Sequence, residues 1–420
     1  MTEPLPRPEA PRRPGTAREV FAAFLRLGLL SFGGPIAHLG YFRTEFVERR
    51  RWLDDREYGS LVALCQFLPG PASSQVGFAI GLGRAGWLGA VAAFTAFTLP
   101  SVALMLAFAA GASLFSGPIG SGILTGLGIV AVAIVAEAVL GMARSLAPDA
   151  ARAAILVVAA ASALLLPGSI GQLGAIVFGA IAGLVLCRAP LETRLETRLD
   201  ARVDAPPAGD RGRVGRGVGA GCLALFAALL LGGPVLAAAT RSEPLEVFDA
   251  FFRAGSLVFG GGHVVLPLLQ SGVVDPGWVS NGDFLAGYGA AQAVPGPLFS
   301  FAAFLGAVST AGPGGAIGGL IAIAGIFLPG FLLLVGVLPF WDALRRRART
   351  QALVRGANAA VVGILAAALY SPVFTSSIVS PAAFCLALAC FVLRTAGRVP
   401  PWIVVLAGAG GGVLIELFAS

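Results

Sequence analysis

Two arginines lie inside apolar stretches of this 420-residue chain. Arg26 falls within the apolar run 24–30, and Arg253 within the run 251–259. A guanidinium at the centre of a membrane segment costs about 2.5–3.5 kcal/mol on insertion scales, so it usually faces a partner or a cavity. Guanidinium donors match the oxygens of a tetrahedral oxyanion in pairs, so both are candidates to bind such an anion. The alternative is that both side chains extend to the membrane interface, because each lies near the start of its segment.

Four breaks rich in glycine or proline interrupt the apolar segments. They are Gly33-Gly34-Pro35, Pro69-Gly70-Pro71, Gly260-Gly261-Gly262 and Pro295-Gly296-Pro297. At a break, backbone N–H groups lose their helical partners, and the next half-helix directs its positive N-terminal end into the gap, which favours anions. Glycine allows a ligand to approach the backbone closely, and proline can start the next half-helix. The breaks are therefore predicted to contribute to an anion site.

Polar side chains flank the Pro-Gly-Pro breaks. Gln66 and Gln292 precede them, and Ser74 and Ser300 follow them. These groups can donate hydrogen bonds to anion oxygens, although hydrogen bonding between helices is an equal alternative. The predicted substrate-binding residues are Arg26, Gly33, Gly34, Gln66, Pro69, Gly70, Pro71, Ser74, Arg253, Gly260, Gly261, Gln292, Pro295, Gly296, Pro297 and Ser300.

Three further residues are candidates for proton coupling. His38 and His263 both follow a glycine pair, with different spacing, and a histidine can carry protons near neutral pH; a structural hydrogen bond is the alternative. Glu137 lies in an apolar run, where an unpaired carboxylate is a candidate for proton transfer. The alternative for Glu137 is an ion pair with Arg144 or Arg152.

The composition indicates an integral membrane protein. The chain is 57% hydrophobic and only 12% charged, with a mean hydropathy of +0.86, and apolar runs of membrane-spanning length recur along it. Its five cysteines lack metal-ligand spacing. We therefore expect no enzyme activity, metal site or cofactor. The positive charge is attributed to loop arginines rather than to a nucleic-acid-binding surface.

The sequence also repeats itself. Phe32-Gly33-Gly34 returns as Phe259-Gly260-Gly261, the Pro-Gly-Pro element returns once, and Trp52 returns as Trp278. The offset stays between 226 and 230 residues. A duplicated hydrophobic unit with glycine and proline inside its apolar segments is typical of transporters.

Thirteen apolar segments are predicted. They are 19–39, 58–82, 86–113, 118–142, 152–167, 169–187, 217–240, 247–269, 284–309, 313–340, 356–371, 373–393 and 401–418. We divide the chain into a disordered cytoplasmic tail 1–18, a first repeat 19–187, an arginine-rich cytoplasmic linker 188–216, an extra transmembrane helix 217–240 and a second repeat 241–420. The single extra helix would invert the second repeat. The predicted fold is therefore an all-α membrane protein with two inverted-topology repeats of about six segments each.

The placement of arginines agrees with this topology except at one loop. With the N-terminus inside, the arginine-rich loops fall on the cytoplasmic side, but loop 41–57 holds five arginines and would lie outside. Re-entrant hairpins bent at Gly33-Gly34-Pro35 and Pro69-Gly70-Pro71 would return this loop to the inside. Each half of segment 58–82 is too short to span a membrane. The alternative is thirteen ordinary spans with one exception to the rule.

These motifs together resemble the chromate ion transporter family in its long two-domain form. The resemblance covers nearly all of 20–420 and is carried by 24–38, Glu45, Trp52, 66–71, 255–263, 292–297 and 356–363. It implies efflux of chromate across the bacterial inner membrane and chromate resistance, with sulfate as a related dianion, a thirteen-segment layout, and coupling to the proton motive force.

The residues leave other functions and partners open. A sulfate or other oxyanion permease and an anion channel are alternatives, while a membrane reductase is disfavoured because cofactor-binding motifs are missing. The expected partners are chromate, with sulfate considered, the lipid bilayer, and a second copy in a homodimer; no nucleic acid is expected. Arg26→Ala and Arg253→Ala are each expected to abolish chromate resistance while expression persists.

Overall fold

A computed structural model describes residues 15–111, 117–166, 168–187, 214–259, 262–345 and 347–419. The described residues form helices and connecting turns, with no strand among them. The candidates Gly260 and Gly261, and most of the predicted tail 1–18 and linker 188–216, lie outside the described residues.

Seven helices make up the described part of the first half. They are α1 (Ala17–Leu30), α2 (Gly34–Arg43), α3 (Asp55–Phe67), α4 (Ala72–Ala110), α5 (Gly117–Leu146), α6 (Ala150–Leu165) and α7 (Gly168–Leu186). A π-helical turn, Thr44–Arg49, continues α2. Helix α4 is bent at Ala85 and Gly86, whose backbone angles are not helical. The bend falls where the sequence predicts the boundary between the segments 58–82 and 86–113.

The described part of the second half contains eleven helices, several of them short. They are α8 (Arg216–Thr240), α9 (Glu243–Leu257), α10 (Val265–Leu269), α11 (Asn281–Ala293), α12 (Phe301–Val308), α13 (Gly315–Val337), α14 (Trp341–Arg345), α15 (Ala348–Ala368), α16 (Thr375–Ser377), α17 (Pro381–Thr395) and α18 (Pro401–Ala419). The 3₁₀ turns Gly262–Val264 and Leu298–Ser300 precede α10 and α12.

The described helices are those of a multi-pass membrane protein. Six of them, counted over the described residues, are long and apolar enough to cross a membrane, and five shorter apolar helices accompany them. Most residues of the long α13 region are buried inside the molecule, whereas few residues of α8 are. Exposed apolar surface of this extent suits contact with lipid. The count of about thirteen segments stays a prediction.

Glycine and proline interrupt the helices at three of the predicted breaks. Helix α1 ends at Leu30, and Gly33 and Gly34 have φ values of +103° and +78°, which side chains disfavour. Helix α3 ends at Phe67, before a turn in which Gly70 has φ +120°. In the second half α11 ends at Ala293 and Gly296 has φ +101°.

One end of the first half gathers three separate parts of its chain. The Arg84 guanidinium lies 3.2 Å from a carboxylate oxygen of Glu19 and 5.1 Å from the ring centre of Trp52. The start of α1, the loop after the π turn and the bend of α4 therefore lie together. In the second half, the Thr310 N–H donates to the Trp278 carbonyl, and the Gly312 N–H donates to Glu243.

Long helices of the two halves meet through glycines. A β-carbon on Gly126 of α5 would lie 2.3 Å from the carbonyl oxygen of Gly408 on α18. One on Gly356 of α15 would lie 2.0 Å from the carbonyl oxygen of Gly179 on α7. Small residues allow membrane helices to pack backbone against backbone. These two interfaces hold first-half helices against second-half helices.

Candidate functional site

The breaks of the two halves are hydrogen-bonded to each other. The Gly70 N–H donates to the Val258 carbonyl at 2.7 Å, and the Gly296 N–H donates to the Ser31 carbonyl at 3.0 Å. Gly70 and Gly296 occupy equivalent positions in the sequence repeat, and so do Ser31 and Val258. Each Pro-Gly-Pro turn is thus bonded to the chain where the other half's arginine-bearing helix ends.

The same two glycines also touch equivalent helices of the opposite half. A β-carbon on Gly70 would lie 2.9 Å from Cα of Gly330, and one on Gly296 would lie 3.1 Å from the Ser101 hydroxyl. Gly330 and Ser101 each follow a proline inside a long helix. Each Pro-Gly-Pro turn therefore packs against the proline-containing long helix of the opposite half.

Gln75 connects the two halves in this region, and it is not among the residues predicted from the sequence. Its side chain is fully buried, and its Nε2 donates to the Pro69 carbonyl at 3.1 Å and to the Gly330 carbonyl at 2.9 Å. The sequence repeat hides this role because the equivalent position holds Phe301. A glutamine six residues after Pro69, inside an apolar helix, was the available signal.

A small cavity lies beside the Gly33-Gly34 break and the Pro295-Gly296-Pro297 turn. It is lined by Gly33, Gly34, His263, Ala291, Gln292, Val294, Gly296, Leu298 and Pro401. Its volume is about 20 Å³, and a water needs roughly 10–15 Å³. The cavity therefore has room for about one water. Four of the predicted substrate-binding residues, Gly33, Gly34, Gln292 and Gly296, border it together with His263.

Gln292 has the cavity's unsatisfied donor. Its Nε2 is buried and lacks a hydrogen-bond partner among the described atoms. A buried amide without a partner loses its hydration without compensation. A molecule with acceptor oxygens in the cavity would satisfy this group.

The two histidines differ in their surroundings. His38 is fully buried, with Nε2 3.2 Å from the Ser31 carbonyl and Nδ1 3.4 Å from the Ser73 hydroxyl. His263 borders the cavity, and its Nδ1 lies 2.7 Å from the Tyr288 hydroxyl. His38 therefore has a partner at each ring nitrogen and does not line the cavity. His263 is the histidine that can meet a cavity ligand.

Glu137 is paired with a residue of the second half. Its carboxylate accepts from Nε of Arg394 at 2.7 Å and from Nη2 at 2.8 Å, and Nη1 of Arg394 donates to the Val399 carbonyl. The sequence suggested Arg144 or Arg152 as the partner, and those choices are wrong. Arg152 instead pairs with Asp149. The partner could not be predicted because 257 residues separate it from Glu137.

Arg26 and Arg253 do not line the cavity. Arg26 is exposed on α1. Nε of Arg253 lies 2.9 Å from Oδ2 of Asp249, and the Arg253 side chain is 43% exposed. Their contact with a transported anion stays a prediction.

The remaining predicted residues differ in how far their side chains are buried. Gln66 is exposed, whereas Ser74 and Ser300 are buried beside the Pro-Gly-Pro turns. The Ser74 hydroxyl lacks a hydrogen-bond partner among the described atoms. Pro69, Pro71, Pro295 and Pro297 form the turns themselves, outside the cavity lining.

A carboxylate organises the arginine-rich loop 41–57. Glu45 is buried and accepts from Arg49 at 2.9 Å and from Arg50 at 2.6 Å. Burial acts to raise the pKa of this carboxyl, but the Arg50 hydrogen bond and the charges of Arg50, Arg49 and Arg26 hold the pKa below its usual value. Glu45 is therefore ionised at neutral pH and neutralises part of the arginine charge.

A second, larger cavity lies away from the breaks, and its lining residues were not predicted from the sequence. It has a volume of about 150 Å³, and its polar lining residues are Gln172, Gln270, Ser271, Asp275 and Ser371. Gln172 donates to the Pro267 carbonyl and accepts from Ser271. These bonds satisfy the side chains of Gln172 and Ser271 and connect α7 to the second half.

Comparison with known proteins gives one consistent result. A family model described as "Chromate transporter" matches residues 18–184 and again residues 245–413. The "Chromate transport protein" of Pseudomonas aeruginosa is 28% identical over 86% of this chain and 82% of its own length. The protein of that name from Cupriavidus metallidurans is 28% identical over 84% of this chain and 82% of its own. A "Probable chromate transport protein" of Synechococcus elongatus is 28% identical over 82% of each. No solved structure matches the chain.

Proposed function

The chain belongs to the chromate transporter family, and from this premise we propose that it exports chromate from the cytoplasm across the bacterial inner membrane. Members of this family are membrane transporters rather than enzymes. We further propose that export is secondary active transport, driven by the membrane gradient.

The cavity beside the Gly33-Gly34 break and the Pro295-Gly296-Pro297 turn is the observation that carries the proposal. It combines glycine backbone, the Nε2 of Gln292 without a partner, and a histidine, all groups that suit the oxygens of an anion. Helix α2 begins there with no side chain capping its N-terminus, so its positive end can add to the attraction. We propose this cavity as the chromate site, with Gly33, Gly34, Gln292 and Gly296 as direct contacts.

The volume of the cavity has a consequence for the transport cycle. A space for about one water cannot hold a tetrahedral oxyanion unless the surrounding helices move apart. The proposal is therefore alternating access, in which the cavity opens towards one side of the membrane at a time. In this scheme Arg26 and Arg253, on the helices that lead into the breaks, attract the anion during the open states.

The proposed topology is two inverted repeats with re-entrant hairpins. The contacts of Arg84 with Glu19 and Trp52 support the hairpins, because they bring loop 41–57 back to the end where α1 starts. The arginines of that loop then lie on the cytoplasmic side, as positive residues usually do. The crossed bonds from Gly70 and Gly296 support two equivalent units.

The membrane potential favours the proposed direction. Chromate carries two negative charges, and the inside of the cell is negative. A potential of 100 mV contributes about 4.6 kcal/mol to the exit of two charges. Uptake of the same dianion would need coupled cations. Proton coupling through His38, Glu137 or His263 is proposed as a further contribution.

Everted vesicles test the function. We expect energised vesicles that contain the protein to accumulate chromate, and the accumulation to collapse when an uncoupler is added. Vesicles without the protein are the control, and excess sulfate measures competition by another tetrahedral dianion. Accumulation of sulfate without chromate would reassign the substrate. Equilibration of chromate without uphill accumulation would identify a channel.

A further inference from the structure

The cavity proposed for chromate has no residue with a permanent charge among the lining residues that the structure describes. Its polar side chains are those of Gln292 and His263, and glycines form part of its wall. Taking a dianion out of water without a positive charge nearby is costly. A cationic side chain close to the cavity is therefore expected, and neither Arg26 nor Arg253 lines it.

Arg394 lies beside this cavity. Its Nη1 donates to the Val399 carbonyl at 2.7 Å, and two residues later Pro401 lines the cavity and begins α18. The charge of Arg394 also interacts electrostatically with the imidazole of His263, another lining residue. The guanidinium thus holds the loop that borders the cavity and acts on a group in the cavity wall.

Apolar packing connects the helices of this ion pair to the cavity wall. One buried cluster joins Ala133 of α5 with Cys390 of α17, and the last residue of α11 packs against it. Helix α11 carries the lining residue Gln292. Glu137 lies one helical turn after Ala133, and Arg394 lies one turn after Cys390. The pair therefore follows directly on a cluster that reaches the cavity.

The pair of Arg394 and Glu137 has the geometry of an occupied anion site. Nε and Nη2 of Arg394 donate to the two carboxylate oxygens of Glu137 at 2.7 and 2.8 Å. A guanidinium binds tetrahedral oxyanions through the same two parallel bonds. The Arg394 side chain is 18% exposed and that of Glu137 is 30% exposed. Glu137 is thus the partner that regains water more readily when the pair opens.

We propose that Arg394 is the exchangeable cationic partner of the transported dianion: Glu137 holds it when the cavity is empty, and chromate takes the place of Glu137 when the helices move apart. This inference rests on the proposed function and names the charge partner of that site. Because the same guanidinium donates to Val399, the exchange also acts on the loop before α18. The return of Glu137 to Arg394 then aids release of the anion.

Uptake kinetics in everted vesicles test the exchange. Arg394→Gln removes the cation, so the chromate concentration for half-maximal uptake should rise about tenfold to a hundredfold. Glu137→Gln removes the competing carboxylate, so the same concentration should fall about tenfold. The maximal rate of Glu137→Gln should fall as well, because no carboxylate displaces the bound anion. A purely structural ion pair predicts the opposite for Glu137→Gln, a half-saturating concentration that rises as in Arg394→Gln.

Glu19→Gln is the matched control. Glu19 of α1 accepts from Nη2 of Arg84 on α4 at 3.2 Å, so this pair also joins two helices, and it lies outside the cavity lining. The variant makes the same substitution and removes a comparable ion pair. We expect its half-saturating chromate concentration to equal that of the wild type.

Loss of one partner of an ion pair can also destabilise the fold. Thermal unfolding in detergent therefore accompanies the kinetics, and Glu137→Asp replaces Glu137→Gln if the latter does not fold. The shorter aspartate keeps its charge but holds it farther from Arg394, so it competes less with the anion. The half-saturating chromate concentration should again fall.

The outcomes separate this inference from the proposed function. Absence of chromate uptake by the wild-type protein would reject the function. Wild-type uptake together with a raised or unchanged half-saturating concentration in Glu137→Gln, or in Glu137→Asp in its place, would reject the exchange while the function stands. An unchanged value in Arg394→Gln would show that this arginine does not meet the anion.

Discussion

At the scale of single residues, the two glutamines of the repeat have different environments. Gln292 borders the cavity with an unsatisfied Nε2, whereas Gln66 is exposed. The sequence alone assigns both the same role, because each precedes a Pro-Gly-Pro turn. The structure separates them, and the difference can be measured.

Gln292→Leu should weaken chromate transport more than Gln66→Leu. A hydrogen bond to a charged group contributes about 1.5–3 kcal/mol, so the ratio of maximal rate to half-saturating concentration should fall roughly tenfold to a hundredfold. Gln66→Leu, at the equivalent exposed position, should change it by much less. Initial rates over a range of chromate concentrations give the comparison. Equal losses in both variants would favour the sequence-based assignment instead.

Local chemistry explains which site residues could be predicted from the sequence. The breaks were predictable because Gly33, Gly70 and Gly296 disrupt a helix through their own backbone geometry. The contacts of His263 with Tyr288 and of Gln75 with Gly330 were not, because these residues approach each other only in the folded chain. Substrate contact by Arg26 and Arg253 stays a prediction.

At the scale of helices and turns, the Pro-Gly-Pro elements depend on glycine for two reasons. Gly70 and Gly296 have positive φ, and each touches the opposite half where a β-carbon would collide or crowd. The N–H of each also forms the bond that crosses between the halves. Backbone conformation and packing therefore both require a glycine at these two positions.

Gly70→Ala and Gly296→Ala should destabilise the folded protein and reduce transport. A positive φ at a residue with a side chain costs about 1–3 kcal/mol, and contact with Gly330 or Ser101 adds to it. Thermal unfolding in detergent, with chromate uptake measured in parallel, provides the test. Gly59→Ala is the control, because a β-carbon on Gly59 of α3 meets no atom within 4 Å. Unfolding of Gly70→Ala at the wild-type temperature would contradict the argument.

Helix boundaries were the more predictable part of the fold. The bend at Gly86 falls between two segments delimited from the sequence, and α3 stops before Pro69. The short π turns and the 3₁₀ turns were not predicted, because apolar periodicity does not distinguish them from an α-helix. The pairing of α5 with α17 through Glu137 and Arg394 also required the folded structure.

At the scale of the whole molecule, the hairpin topology predicts which loops face the cytoplasm. In a variant without the five native cysteines, Arg51→Cys should resist a membrane-impermeant thiol reagent in intact cells and react in everted vesicles. Pro276→Cys, at the equivalent loop of the second half, should show the opposite pattern. Reaction of Arg51→Cys in intact cells would favour thirteen ordinary spans and refute the first hairpin.

The crossed hydrogen bonds also determine when the protein can finish folding. Gly70 leaves the ribosome about 190 residues before Val258, its hydrogen-bond acceptor. At about 5–20 residues per second, Val258 is synthesised roughly 10–40 s after Gly70. The first half is thus synthesised before its Pro-Gly-Pro turn can form this hydrogen bond, and the second half supplies the missing acceptor.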